Sequence, residues 1–180
     1  MSEFQEFPKM ARLSREVIIT EKIDGTNTQV FISDDGSIIV GSRKRWITPQ
    51  DDNFGFAKWV EENKDELLKL GVGRHFGEWW GSGIQRGYDL PKGEKRFSLF
   101  NVSRWSDDSL RPKCCHVVPV LYQGLFDTVK VDECLGNLKL NGSMASPGFM
   151  RPEGVVVFHI AGNIGFKKTI EKDEVLKSKQ

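Results

Sequence analysis

Cysteine is scarce in this chain of 180 residues. Cys114, Cys115 and Cys134 make an odd set with no CxxC pair, which excludes a disulfide framework and a cysteine-based zinc site. Histidine is equally thin: His75, His116 and His159 stand alone and read as packing or surface residues rather than ligands. No apolar run approaches the ~20 residues that span a bilayer. The first segment, MSEFQEFPKMARLSREV, lacks the apolar stretch of a secretory leader, so a reducing, cytoplasmic setting without membrane contact is expected. Excess charge is missing too, with 26 lysines and arginines against 25 acids and a net charge of +1. A polynucleotide partner would therefore have to be met by local basic clusters. With no repeat, low-complexity stretch or linker, residues 1–180 are expected to form one domain with a substantial core.

What is present is mostly strand. REVIITEKI (15–23), TQVFIS (28–33) and SIIVGSR (37–43) are apolar or alternating runs separated by Asp24-Gly25 and Asp35-Gly36, both strong hairpin signals. One helix is expected next: Asp51, Asp52 and Asn53 offer caps, Phe56, Trp59, Val60, Leu67 and Leu70 recur at helical spacing, and Gly71 closes it. Further strand-like runs follow at RHFGEWW, RFSLFNV, HVVPVLYQG, EGVVVFHI and NIGFKKTI, with a short helix at VDECLGNLKL. The reading is an α+β domain built on antiparallel sheet with few helices.

Polar residues stand at the ends of these strands. Glu78 lies among aromatics in FGEWWG, where a carboxylate is costly unless paired or hydrogen-bonded. Glu153 heads the apolar strand GVVVF, and Lys167 and Lys168 lie in the next one. Lys22 and Asp24 flank a turn. Lysines suit phosphate oxygens and carboxylates suit the waters of a magnesium ion, so the set has the composition of a nucleotide site. Taken singly, each of these residues is more often structural than functional.

Their order adds to this. EKIDGTN, GSRKRW, FGEWWG, RFSLFN, PEGVVVF and FKKT together resemble the successive motifs of the covalent nucleotidyltransferases, the polynucleotide ligases and capping enzymes. The nearest likeness is to ATP-dependent RNA ligases of the nick-sealing branch, often viral, in which case the host cytoplasm is implied. The resemblance spans Thr20 to Thr169 and includes the GIQRGY stretch after Glu78. It implies an adenylyltransferase fold in which Lys22 attacks the α-phosphorus of ATP and carries AMP through a P–N bond. It implies nucleoside and phosphate contacts for Glu21 and Asn27, and a turn at Gly25 that approaches the nucleotide closely. Asp24, Glu78 and Glu153 resemble the acidic set around the ribose and the waters of magnesium or manganese. Arg43 resembles the phosphate-binding arginine, with Arg45 near enough to compete. Phe100 resembles the aromatic that stacks on adenine, whereas Phe97 reads as sheet core. Lys167 resembles the first lysine of the last motif, with Lys168 beside it.

Three departures stand out. Thr169 occupies the place of the last motif's second lysine, Asn101 follows Phe100 where aspartate is common, and the sequence ends soon after Thr169, with no OB-fold domain expected. The implied activity is self-adenylylation, AMP transfer to an RNA 5′-phosphate, and sealing by a 3′-hydroxyl, on nicked duplex RNA and by a monomer. Two other readings stay open: a capping-type guanylyltransferase, and an RNA-end-binding module that has lost ligation. For RNA contact the clusters Arg43, Lys44, Arg45 and Arg86, Lys92, Lys95, Arg96 are the candidates.

Overall fold

The computed structural model describes residues 3–171 and 173. Its chain alternates between two sheets. Strands β1 (Glu16–Lys22), β8 (Val120–Leu125), β9 (Gly154–His159) and β10 (Ile164–Thr169) form a four-stranded sheet in the order β10-β9-β1-β8. Strands β2 (Thr26–Ile32), β3 (Ile38–Ser42), β4 (Trp46–Ile47), β5 (Gly73–Gly81), β6 (Lys95–Leu99) and β7 (Cys115–Val117) form a six-stranded sheet in the order β4-β3-β2-β5-β6-β7. All pairings are antiparallel except β6 with β7, which is parallel. The α+β, antiparallel-rich architecture with few helices is as expected.

Residues Val17 to Glu21 of β1 are all buried, because this strand is covered on both faces. Its odd positions Val17 and Ile19, with Val155 and Val157 of β9, pack under helix α4 (Thr128–Asn141). That helix is capped by Asp127, whose side chain accepts from the Val129 N–H, and presents Val131, Cys134, Leu135 and Leu138 at i, i+3, i+4 and i+7. The even position Ile18 faces the other sheet and joins Ile23, Trp80, Tyr88, Val102, Val118 and Phe149 in a cluster that cements the two sheets. Helix α1 (Phe56–Glu62) covers the far side of the six-stranded sheet, with Phe56 against Trp79 and Phe97. Full burial of each such side chain stabilises by about 1.5–3 kcal/mol.

Four expectations need correcting. The Asp24-Gly25 turn is no hairpin, since β1 pairs with β8 and β9 while β2 pairs with β3 and β5; the turn carries the chain from one sheet to the other. The single helix expected over 56–70 is broken. Asn63 leaves helical geometry after α1, α2 (Lys64–Leu67) follows, and a 3-10 turn ends at Leu70. The run HVVPVLYQG is two strands in different sheets, switching at Val118-Pro119, where the Pro119 carbonyl accepts from the Glu21 N–H. The run RFSLFNV ends as a strand at Leu99 and turns into helix α3 (Val102–Trp105), with Asn101 as its cap accepting from the Arg104 N–H at 3.2 Å.

Candidate active site

Lys22 is the last residue of β1 and lies directly opposite Gly154 of β9, which in turn faces Thr169 of β10. Cross-strand partners share a face of the sheet, so Lys22, Gly154 and Thr169 form one row, and Thr20, Val156 and Lys167 the row beneath it. The residues between them, Glu21, Val155 and Lys168, point to the opposite face. Glycine at 154 is required by close approach: a Cβ there would stand 2.2 Å from the Lys168 carbonyl oxygen. The preceding residue, Glu153, holds the Lys22 ammonium, with Oε2 2.5 Å from Nζ.

The turn beyond Lys22 is pinned from several sides. The Asp24 N–H donates to the Tyr88 hydroxyl at 2.9 Å, and the Arg86 guanidinium donates to the Asp24 carboxylate at 3.0 Å and to the Arg151 carbonyl at 2.8 Å. The Gly25 N–H donates to Glu78 Oε1 at 3.0 Å. Gly25 is glycine for a packing reason and not for a positive φ: a Cβ would sit 2.4 Å from the Trp79 carbonyl oxygen and 2.7 Å from Trp80 Cβ.

Glu78 is the electrostatically unusual group. It projects between Asn27 of β2 and Ser98 of β6, nearly buried. Burial pushes its carboxyl up to about 7, aided by the charges of Glu153 and Asp24 and opposed by Lys22 and the Gly25 N–H. Three acids thus ring Lys22, but each has its own partner: Arg86 for Asp24, the Gly25 N–H for Glu78, Lys22 for Glu153. Among the described residues no three acidic, histidine or cysteine side chains converge closely enough to hold a metal ion directly. Their hard oxygen atoms suit a magnesium or manganese ion reached through its waters rather than a three-carboxylate cage.

A cavity of about 620 Å³ opens between the sheets beside these groups, in the size range of ligand sites. Lys22, Asn27 and Glu78 border it, and Phe100 from the end of β6 and Val156 from β9 supply apolar walls from opposite sheets. Phe100 is part-exposed at 38% and borders the cavity, whereas Phe97 is fully buried in the core.

Other expected residues lie elsewhere. Glu21 borders the cavity, but its carboxylate turns away: it accepts from Ser143 Oγ at 2.6 Å and from the N–H groups of Met144 and Ala145 at 2.8 and 3.0 Å. Burial raises its pKa against those hydrogen bonds. The Lys168 ammonium pairs with Asp132 of α4 at 2.6 Å, on the face away from the cavity, while Lys167 shares the face of Thr20 and Val156 without lining the cavity. Arg43 stands in the exposed β3–β4 turn, just beyond the Thr28–Ser42 pair and so level with Asn27. Arg45 is held by both oxygens of Asp51 at 2.6 and 3.0 Å. Of the second basic cluster, Arg86 braces Asp24, Arg96 binds Glu94, and Lys95 donates to the Phe54 carbonyl; Lys92 is exposed. The bracing by Tyr88 and Arg86 and the wall at Val156 were missed in the sequence. The one signal for the first was a tyrosine and an arginine inside a glycine-rich stretch.

No curated protein sequence matches the chain. Solved structures of Naegleria gruberi RNA ligase do share its fold. An apo variant superposes with a TM-score of 0.65 at 22% identity, covering 87% of this chain and 50% of that one. A variant with ATP and manganese gives 0.60 at 20% identity, over 87% and 49%. One with AMP and manganese gives 0.60 at 21%, over 87% and 50%. The chain spans about half the length of those ligases, and likeness at this identity speaks for the fold. The sequence profile of the RNA ligase family matches residues 15–177, nearly the whole chain, and this chain therefore belongs to the RNA ligase family.

Proposed function

We propose that the chain is an ATP-dependent RNA ligase whose first step is self-adenylylation at Lys22. The observation that carries this is the Lys22–Glu153 pair, 2.5 Å apart at the edge of a cavity that Glu78 also borders. In that step the Lys22 Nζ–phosphorus bond forms, the bond from the α-phosphorus to the bridging oxygen breaks, and pyrophosphate leaves. The amine must first lose a proton, since a free lysine has a pKa of ~10.4. Glu153 is the base in hand, already hydrogen-bonded to Nζ. A magnesium or manganese ion, bound through waters held by Asp24, Glu78 and Glu153, would neutralise charge on the phosphates.

The chain's own residues do the positioning. Phe100 and Val156 offer the slot for adenine, Asn27 and Arg43 stand level with each other for phosphate, and Lys167 adds a cation from the other sheet, on the face of Thr20 and Val156. Glu21 acts in this reading through its backbone and its hold on 143–145, and Lys168 through α4. AMP transfer to an RNA 5′-phosphate and attack by a 3′-hydroxyl complete the proposal, on a nicked substrate, by a monomer in the cytoplasm. The solved RNA ligases with ATP or AMP and manganese support the nucleotide and the metal.

Incubation with labelled ATP and a divalent cation tests the first step. One acid-labile AMP per chain, lost in Lys22→Ala, is the expected result. Label from GTP in preference to ATP would point to a guanylyltransferase, and label that survives Lys22→Ala would overturn the assignment. Sealing of a 3′-OH/5′-phosphate nick in RNA tests the later steps.

A further inference from the structure

The face of the six-stranded sheet opposite α1 extends past the cavity toward β4, and there it carries exposed aromatics, Trp46 among them, that have no part in the adenylylation step above. Trp46 of β4 lies beside Gly41 of β3, and Gly41 is opposite Gln29 of β2, which is opposite Phe76 of β5. Phe100 continues the line, its N–H donating to the Phe76 carbonyl at 3.0 Å. Trp46 is 47% exposed and Phe76 52%, unusual values for large rings on a regular sheet. Glycine at 41 lets the indole lie over the strand: a Cβ there would meet Trp46 Cε3 at 3.2 Å and Gln29 Nε2 at 3.0 Å.

The cation on this face is placed among the rings. The Arg74 guanidinium stands 4.9 Å from the centre of Phe31 and 5.3 Å from that of Trp46, and donates to Gln29 Oε1 at 2.8 Å. Such a stack leaves a flat, positively charged surface between two rings. Arg43 and Lys44, exposed in the turn before Trp46, add charge at the end nearest the cavity, while Arg45 is neutralised by Asp51. The acids Asp34 and Asp35 lie in the β2–β3 turn, past Ile39 at the opposite end. Three strand spacings, about 14 Å, separate β4 from β5. Arg74 and Phe76 also border the cavity, so the surface runs into the nucleotide site without a break.

Exposed aromatic faces set among arginines are what successive bases of an unpaired strand stack on, with phosphates tracking the cations. A duplex hides its base faces and cannot use them. Resting on the ligase reading above, we propose that this sheet face is a stacking platform for the unpaired RNA nucleotides of a flap or frayed end beside the nick. Trp46 and Phe76 carry the bases; Arg43, Lys44 and Arg74 carry the phosphates.

Trp46 is the most exposed of the five tryptophans, so its fluorescence reports on the face directly. Titration of the protein with a single-stranded oligouridylate should quench the emission, and Trp46→Ala should remove that quench. Filter binding should show Trp46→Ala weakened about 5- to 100-fold for the oligouridylate. The same variant should bind a blunt RNA duplex of equal length as the parent does, and Trp46→Phe should keep most of the single-strand affinity. A thermal melt unchanged in Trp46→Ala establishes that the fold survives. Equal loss on duplex and single strand, no loss on either, or an emission already shielded by self-association would overturn the proposal. AMP labelling at Lys22 is measured separately. A protein that binds through Trp46 but takes no AMP would sink the ligase reading and leave the platform standing, and the reverse result would do the opposite.

Discussion

Lys22 and Glu153 are separated by 131 positions in the chain and by 2.5 Å in the fold. The antiparallel register of β1 with β9 brings this about: Lys22 is opposite Gly154, and Glu153 is the next residue out along the same edge. A charge-assisted hydrogen bond this close fixes the amine and gives its proton a destination. Glu153→Gln keeps the shape and removes the base, so it should slow AMP labelling by on the order of 10²-fold or more, by analogy with the loss of one preorganised contact elsewhere. Labelling within a few-fold of the parent would leave Glu153 a structural partner only.

Glu78 gives a prediction in pH. Its carboxyl titrates at about 7 in the fold against 4.5 in the unfolded chain, because burial disfavours the charge. Between those values the folded protein retains a proton that the unfolded chain has released, so stability falls as pH rises through this window. Glu78→Gln cannot ionise and can still accept from the Gly25 N–H. It should melt higher than the parent at pH 8, by up to about 3 kcal/mol, with the gap closing below pH 4.5. AMP labelling should nevertheless be impaired in the variant. Parallel melting curves from pH 4 to 8 decide the point, and a gap independent of pH would remove Glu78 as its source.

Much of the fold was legible in the sequence, and the failures share one cause. Strand runs and the helix at 131–140 follow from short-range periodicity. Partners do not: Asp24-Gly25 has the composition of a hairpin turn, yet the two flanking strands go to different sheets because each finds its neighbours far along the chain. Gly25 reads as a hairpin-turn glycine, yet the reason for it is contact with Trp79 and Trp80, residues more than fifty positions away. Glu21 is adjacent to Lys22 and still points away, since side chains alternate on a strand and the 143–145 loop waits on that face. The sequence leaves Arg43 and Arg45 in competition, because the Asp51 grip on Arg45 depends on how the β3–β4 turn closes. The ordered motifs point to the family; the strand register brings the candidate residues Lys22 and Glu153 together.

The last strand separates its two lysines by the same alternation. Lys168 makes an exposed ion pair with Asp132, of the kind worth about 1 kcal/mol or less, so Lys168→Ala should leave both melting and AMP labelling near the parent values. Lys167, on the face of Thr20 and Val156, should be needed for labelling. The reverse ranking in a labelling time course would mean that β10 slips by one residue on nucleotide binding.

The turn that presents Lys22 should be the least tolerant point of the site. Gly25→Ala places a Cβ 2.4 Å from a backbone oxygen and 2.7 Å from Trp80 Cβ, atoms that belong to β5 at the centre of the larger sheet. The turn must therefore move, and with it the Lys22 amine and the Gly25 N–H that Glu78 accepts from. Tyr88→Phe is a milder probe of the same support. It removes the hydroxyl that accepts from the Asp24 N–H but keeps the ring packed on Trp80 and Phe149. An amide left without its partner costs about 1–3 kcal/mol. Tyr88→Phe should lose that much stability and label slowly, while Gly25→Ala should lose more stability and label barely at all, although neither residue reaches the reacting phosphorus. ATP affinity measured beside the labelling rate distinguishes displacement of the amine from loss of the nucleotide site. A Gly25→Ala protein that melts and labels like the parent would show that the turn yields freely, and that Lys22 is positioned by Glu153 alone.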